Sequence, residues 1–315
     1  MRTIRAATEL IQTIRENLLA GVLVLLILFF ASIILYKKFG VLQWIYNWVI
    51  NYIFVFTKRE NIMLVNFSKK EAKFSHVRKQ YQEQGCLFLT IHPKKHFKPD
   101  GSIEKESLQK ILNIQKAKMN KAIKRSKNSN SLIYLGFPHV PLAFLDGYHF
   151  RDTDDPVLYE YQGMDSECLG RGFYELNKKY NTDMKVINNY DSQTNYGSEI
   201  TLKIEQSFPI SNEDIKSVSS TSQVVSLGAK DPMRWNINNY AQIDLYQKEF
   251  LSLLAKLGNK GVRKIHLFAT TPVSLSFSLG RMIDHYHPEI IVYNYNNTTY
   301  DWAINLRTRE IITLT

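Results

Sequence analysis

HLFATTPVSLSFSLG, residues His266 to Gly280, sets out a fold plan in fifteen positions. An apolar strand leads through Thr270, Thr271 and Pro272 into a short helix with an L-x-F step that closes on glycine. IYLGFPHVPLAFLDG, from Ile133 to Gly147, repeats the plan, its proline one residue further from the glycine. A strand, turn and helix that occur twice in one chain predict two similar halves.

Around these segments short β-rich runs alternate with helical patterns. CLFLTIH (Cys86–His92), a helix over Glu104–Lys127, SLIYLGF (Ser131–Phe137), MKVIN (Met184–Asn188) and EITLKIEQ (Glu199–Gln206) make up the first series. QVVSLG (Gln223–Gly228), a helix near Ile243–Leu257, KIHLFAT (Lys264–Thr270), a helix from Val273 to about Tyr286, EIIVYNY (Glu289–Tyr295) and a closing hairpin make up the second. Continuous apolar strands between helices predict an α/β domain of two fused Rossmann-like halves, each with a largely parallel sheet covered on both faces.

The amino-terminal sequence has a different character. Leu18–Tyr36 reads LLAGVLVLLILFFASIILY, nineteen residues without a charge, and about 20 apolar residues of helix cross a bilayer. The run is longer than the core of a cleaved signal peptide and lacks a small-x-small exit. After Lys37–Gly40 comes a second uncharged stretch, VLQWIYNWVINYIFVF (Val41–Phe56), so a two-helix transmembrane hairpin is expected, although the aromatic content of this second stretch also suits an interfacial helix. Arg2, Arg5, Arg15, Lys58 and Arg59 flank the hairpin, against Lys37 and Lys38 in its turn. The positive-inside bias puts both termini in the cytoplasm. Gln43, Asn47 and Asn51 recur every four residues along one helix face. Such an amide stripe is read either as adhesive between helices or as the lining of a wet passage in an assembly.

Across 315 residues the net charge is +11 and mean hydropathy is −0.24, averages that hide segregation. Residues 1–57 hold 5 basic and 2 acidic side chains, 58–130 hold 18 and 6, and 131–315 hold 17 and 21. The positive excess is thus juxtamembrane, where anionic headgroups are its simplest partner. This argues against a general affinity for long nucleic acid. The two cysteines are far apart with no CxxC, which excludes a disulfide framework and a cysteine-rich zinc site.

In doubly wound sheets, ligands bind beyond the carboxyl ends of strands, where helix amino termini offer free N–H groups. Thr270, Thr271 and Ser274 stand at that place, for a phosphate or as simple helix caps. GAKDPMRW (Gly228–Trp235) supplies Lys230 and Arg234 for phosphate and Trp235 for base stacking. Lys94 and Lys95 follow the first strand as the equivalent set of the other half. No HExxH, GxSxG or Walker motif occurs, RDTDDP reads as a surface turn rather than a metal site, and no residue stands out as catalytic.

Lys264–Asn297, with its h-L-F-A strand, proline, small-residue helix ending in L-G and strand ending in V-Y, resembles the closing motif of SAVED domains. These are sensors of cyclic-oligonucleotide-based anti-phage signalling (CBASS), built from two fused CARF-like halves, and the chain looks like a member of their membrane-anchored branch. The resemblance implies a non-enzymatic effector with no cofactor. Its ligand would be a cyclic oligonucleotide, of trinucleotide size, made by a cognate nucleotidyltransferase. Ligand binding would drive self-association, and the hairpins would then disrupt the bacterial inner membrane, with lipids as their partner and abortive infection as the outcome. A membrane-tethered enzyme that cleaves such a ligand, and a constitutive nucleic-acid-binding membrane protein, are the alternatives. The expected divisions are 1–17 cytoplasmic, 18–57 hairpin, 58–80 basic linker, 81–208 first half and 209–315 second half.

Overall fold

A computed structural model describes Val22, Leu26 and, from Asn61 onward, every residue except 70–71, 92–95, 99–101, 127–130, 154, 163–171, 179–181, 222, 235, 297–298 and 315. The fold below lies in the second of two units of the chain, Glu60–Thr315. Among the described residues no helix is long and apolar enough to cross a membrane. Apart from Val22 and Leu26, the expected hairpin, with Gln43, Asn47 and Asn51, lies outside them.

The first half is a sheet of five strands in the order β2-β1-β3-β4-β5: β1 Asn61–Asn66, β2 Cys86–Ile91, β3 Leu132–Gly136, β4 Val157–Gln162 and β5 Gly172–Glu175. The first four run parallel and β5 runs antiparallel to β4. The second half has seven strands, β12-β11-β10-β9-β7-β8-β6. These are β6 Val186–Asn188, β7 Glu199–Glu205, β8 Val224–Ala229, β9 Lys264–Thr270, β10 Glu289–Tyr295, β11 Tyr300–Asn305 and β12 Ile311–Thr313. Its parallel core β8-β7-β9-β10, with β11 antiparallel, repeats the strand order of the first half. The repeat extends to single hydrogen bonds, because Lys69 N–H donates to the Phe137 carbonyl (3.0 Å) just as Ser207 N–H donates to that of Thr270 (2.8 Å). In each half the winding reverses at one place, between β1 and β3 and between β7 and β9.

Two expected boundaries move. The stretch read as a basic linker, 58–80, contains β1, a fully buried central strand, and the start of the helix α1, Ser75–Glu83, whose Val77 and Tyr81, one turn apart, pack on the sheet. NIMLVN is short and surrounded by lysines, yet burial on both faces is what a parallel strand requires. The second boundary falls between β5 and β6 rather than after residue 208, because β7 pairs with β8 and β9.

The remaining helices are α2 (Lys105–Ser126), α3 (Val140–His149), α4 (Asn212–Lys216), α5 (Tyr240–Asn259) and α6 (Val273–Arg281). Helix α6 ends short of Tyr286, in a turn where Asp284 N–H bonds His287 Nδ1 (3.0 Å). Asn239 caps α5 through a reciprocal pair with Gln242. One large apolar cluster spans both sheets, and smaller ones cover their other faces under α1 and α4.

The halves interlock through α3 and α6. A constant offset of 133 residues relates Val140, Phe144 and Gly147 of α3 to Val273, Phe277 and Gly280 of α6, and the helices cross at these positions. A Cβ on Gly147 would overlap the Phe277 carbonyl oxygen and lie 2.9 Å from its carbon. One on Gly280 would meet the Phe144 carbonyl in the same way, 2.9 Å from its carbon. Phe277 also stacks on Tyr134 of β3 (centroids 3.9 Å apart), so the helix of one half is built into the sheet of the other.

Candidate ligand face at the carboxyl ends of the two sheets

The parallel strands deliver five chain segments to one side of the molecule. Phe67–Lys69 follow β1, Phe137–His139 follow β3, Gln206–Phe208 follow β7, Lys230–Arg234 follow β8, and Thr271 and Pro272 follow Thr270 at the end of β9. The halves meet on this side twice. Glu160, near the end of β4, reaches the start of α6, accepting from Ser274 N–H (2.9 Å) and Ser274 Oγ (2.6 Å). His139, at the start of α3, lies edge-on to Trp302 of β11 (5.8 Å). The amino ends of α3 and α6 therefore stand between the two carboxyl edges.

The amino end of α6 is already occupied. Pro272 provides no side-chain cap for α6, and the Glu160 carboxylate takes that role from the other half. Burial raises the pKa of Glu160, while the Ser274 hydroxyl and backbone N–H groups pull it back. Ser274 is fully buried with both donors spent. Neither Ser274 donor is therefore free for a phosphate in this arrangement. Thr271 pairs with Ser276 (2.7 Å), and Thr270 Oγ1 donates to the Phe208 carbonyl (2.6 Å), so these hydroxyls brace the loops. At α3, His139 N–H donates to Ser68 Oγ (2.8 Å), and its ring stacks on Phe97 (4.3 Å). Burial, with the charge of Lys69, pushes the imidazole pKa down to about 3, so the ring is neutral near pH 7.

Beneath β1 and β3 lies a buried carboxyl group. Asp146 of α3 accepts from Asn66 Nδ2 (2.8 Å), Tyr134 OH (2.8 Å) and Gln115 Nε2. Burial outweighs these donors and pushes its pKa up to about 7.

The open part of the face lies on the second half. Met233 N–H donates to the Gln206 carbonyl (3.0 Å), which ties the loop after β8 to the loop after β7. The Arg234 guanidinium lies over the Phe208 ring (4.8 Å), and Phe208 and Met233 are 41% and 60% exposed, unusual for apolar side chains. Lys230 is exposed nearby. Neither Lys230 nor Arg234 has an ion-pair partner among the described residues. The structure thus brings Lys230, Arg234 and Thr270 into one loop cluster, while Lys94, Lys95 and Trp235 lie outside the described residues. Phe208 and Glu160 were not anticipated. Phe208 stands just beyond an apolar strand, the one local sign of its place, and Glu160 looks like any alternating strand carboxylate. Chemically, unpaired cations beside an exposed ring suit a phosphodiester and its base. Among the described residues no group of three or more His, Cys, Asp or Glu side chains could hold a metal ion.

Two doubly wound halves fused about a shared carboxyl face define a ligand-binding α/β module. Residues 115–306 match the SAVED family, "SMODS-associated and fused to various effectors sensor domain", and the chain belongs to that family. It is similar to two structures of the Acinetobacter baumannii Cap4 SAVED/CARF-domain containing receptor, one with the cyclic trinucleotide 2′3′3′-cAAA and one with 3′3′3′-cAAA. Each is 19% identical with a TM-score of 0.49, over 81% of this chain and 54% and 52% of theirs. The Moraxella osloensis Cap4 SAVED/CARF-domain containing receptor is similar at 17% identity and a TM-score of 0.49, over 77% of this chain and 49% of that one. The chain spans about half the length of these structures. No curated protein sequence matches it.

Proposed function

We propose that the SAVED domain of this chain binds a cyclic oligonucleotide, of trinucleotide size, on the carboxyl face, and that it is a sensor rather than an enzyme. One observation carries the reading: Lys230 and Arg234, without acidic partners among the described residues, stand with exposed Phe208 where three strand ends converge. In this reading a cognate nucleotidyltransferase supplies the ligand and binding drives self-association. Residues 18–57 form the transmembrane hairpin in the bacterial inner membrane, with both termini cytoplasmic, and clustered copies of Gln43, Asn47 and Asn51 hydrate a passage.

The test is a thermal-shift series on the full chain in detergent with cyclic di-, tri- and tetranucleotides. Saturation at a hundredfold excess over Kd adds about 2.7 kcal/mol to stability, which is read as a raised Tm. The double variant Lys230→Glu/Arg234→Glu should lose the shift while keeping its own Tm. Absence of a shift with every ring would refute the reading. For the membrane step, Gln43→Leu/Asn47→Leu/Asn51→Leu should bind ligand normally yet fail to release dye from liposomes, and undiminished release would remove the stripe from the mechanism.

A further inference from the structure

The strands sort the cations of the domain into two groups. Lys69, Lys230 and Arg234 follow strand ends on the carboxyl face. A second group gathers at the opposite, amino edge. Helix α2 ends at Ser126, shortly before β3 begins at Leu132, so its last turns lie at that edge with Lys116, Lys118, Lys121, Lys124 and Arg125. Arg309 joins them from the turn between β11 and β12, and β12 packs on α2.

These side chains crowd one another. Arg309 Nη2 lies 3.2 Å from His149 Nδ1, on a residue whose backbone is left-handed (φ 62°). Burial, then the charges of Arg309, Arg151 and Lys116, pushes the His149 imidazole down to about 3. Burial and the charges of Arg125 and Lys118 lower the pKa of Lys121. Arg151 is shared by Asp152 (3.6 Å) and Asp284 (3.9 Å), and Glu310 is the one acid of the Arg309 turn. The other six cations have no ion-pair partner among the described residues. Lys124 and Arg125 complement the carboxyl end of the α2 dipole. Lys116, Lys118 and Lys121 precede the last turn, and Arg309 belongs to the other half, so that role does not account for them. Like charges gathered from two halves without acids create a field suited to an anionic surface.

The path of the chain indicates which surface. β1 starts at the same edge, where Asn61 N–H bonds the Gly85 carbonyl (3.2 Å) and Ile62 N–H that of Ser131 (2.9 Å). Only residues 57–60 separate β1 from the uncharged stretch that ends at Phe56, a reach of at most about 18 Å. Resting on the reading of residues 18–57 as membrane-inserted, we propose that the amino edge docks on anionic lipid headgroups, with the end of α2 and Arg309 against the bilayer and the carboxyl face turned away from it. Each such cation favours the docked state roughly fivefold.

Lysine acylation by a membrane-impermeant ester, read residue by residue by mass spectrometry, tests this on the full chain. The probes are vesicles of phosphatidylcholine alone and of equal parts phosphatidylcholine and phosphatidylglycerol. Lys116, Lys121 and Lys124 should react roughly tenfold more slowly or less in the anionic vesicles, Lys230 should react alike in both, and high salt should remove the difference. Lys121→Glu/Lys124→Glu, two exposed positions, should return Lys116 to its rate in neutral vesicles. Equal rates in a chain that floats with both vesicles, or slowing of Lys230 instead, overturns the docking edge and leaves the insertion standing. Slowing by added duplex DNA but not by phosphatidylglycerol assigns the edge to nucleic acid and also overturns it. A chain that does not float with neutral vesicles overturns the insertion, and the edge then stands or falls on protection by the anionic vesicles.

Discussion

Gly280→Ala adds one methyl group at the place where α6 crosses α3. Ordinary contact begins near 3.4 Å, and the new carbon would lie 2.9 Å from the Phe144 carbonyl carbon and closer to its oxygen. The helices must therefore part by roughly half an ångström or more, and a gap of that size forfeits a quarter or more of the dispersion energy across it. With about 40–60 atom contacts for a large buried side chain at about 0.1–0.2 kcal/mol each, a quarter amounts to about 1–3 kcal/mol, the usual range for overpacking. Alanine's better helix propensity offsets about 1 kcal/mol. A net loss of about 1 kcal/mol follows, read as a fall in Tm of roughly 2–4 °C for a domain of this size. Thermal unfolding of the full chain followed by near-ultraviolet circular dichroism measures it. Gly147→Ala should behave alike, and the double variant should lose less than the sum, because one separation relieves both overlaps. Gly258→Ala is the control. It lies in α5 with its nearest neighbour at an ordinary 3.8 Å, so the same change should raise stability by about 0.5–1 kcal/mol. A Gly280→Ala that stabilises as much as the Gly258→Ala control would refute the close crossing.

The folded pKa of Asp146, about 7, lies above its unfolded value, so the folded state holds the proton more tightly and Asp146's contribution to stability falls as pH rises from about 4 to 7. His139 and His149, both pushed by burial to about 3, act in the opposite sense from pH 3 to 6.5. The wild-type advantage over Asp146→Asn in urea unfolding should accordingly be larger at pH 4.5 than at pH 7.5, and a constant difference would contradict the assignment. Ser274→Ala, which removes one donor from buried Glu160, should cost about 1–3 kcal/mol. The penalty should shrink in a Glu160→Gln background, and a double-mutant cycle without coupling would dismiss the joint. A chain starting at Arg59 should unfold cooperatively. One starting at Lys69 lacks β1 and should not fold, as a missing denaturation transition would show.

The strands most legible in the sequence are those with long apolar runs, β3 and β7 to β10, and the Ile133 and His266 segments disclosed the duplication. Periodicity describes a strand and says nothing about its neighbours. Sequence order alone therefore puts β7 in the first half, although its hydrogen bonds join it to the second, and lysines on both sides hide β1. For the site, the loop after β8 was readable because Lys230 and Arg234 have no other evident task. Ser274 stands at the helix start expected of it, but the group that satisfies it, Glu160, is 114 positions away in the chain and in the other half. Contacts between duplicated halves leave no local trace.

The reciprocal crossing of Gly147 on Phe277 and Gly280 on Phe144 is the geometry of a homodimer interface, where the same patch meets itself about a two-fold axis. Here it is drawn within one polypeptide. In a true dimer every substitution occurs twice, and the cleft can be no less symmetric than its subunit. Fusion lifts that constraint. Asp146 on one helix has Leu279 as its counterpart on the other, and β6 and β12 extend one sheet only. A fold of this kind can adjust each side of its cleft separately, and so, in the function proposed for it, discriminate among rings whose bases are not all alike.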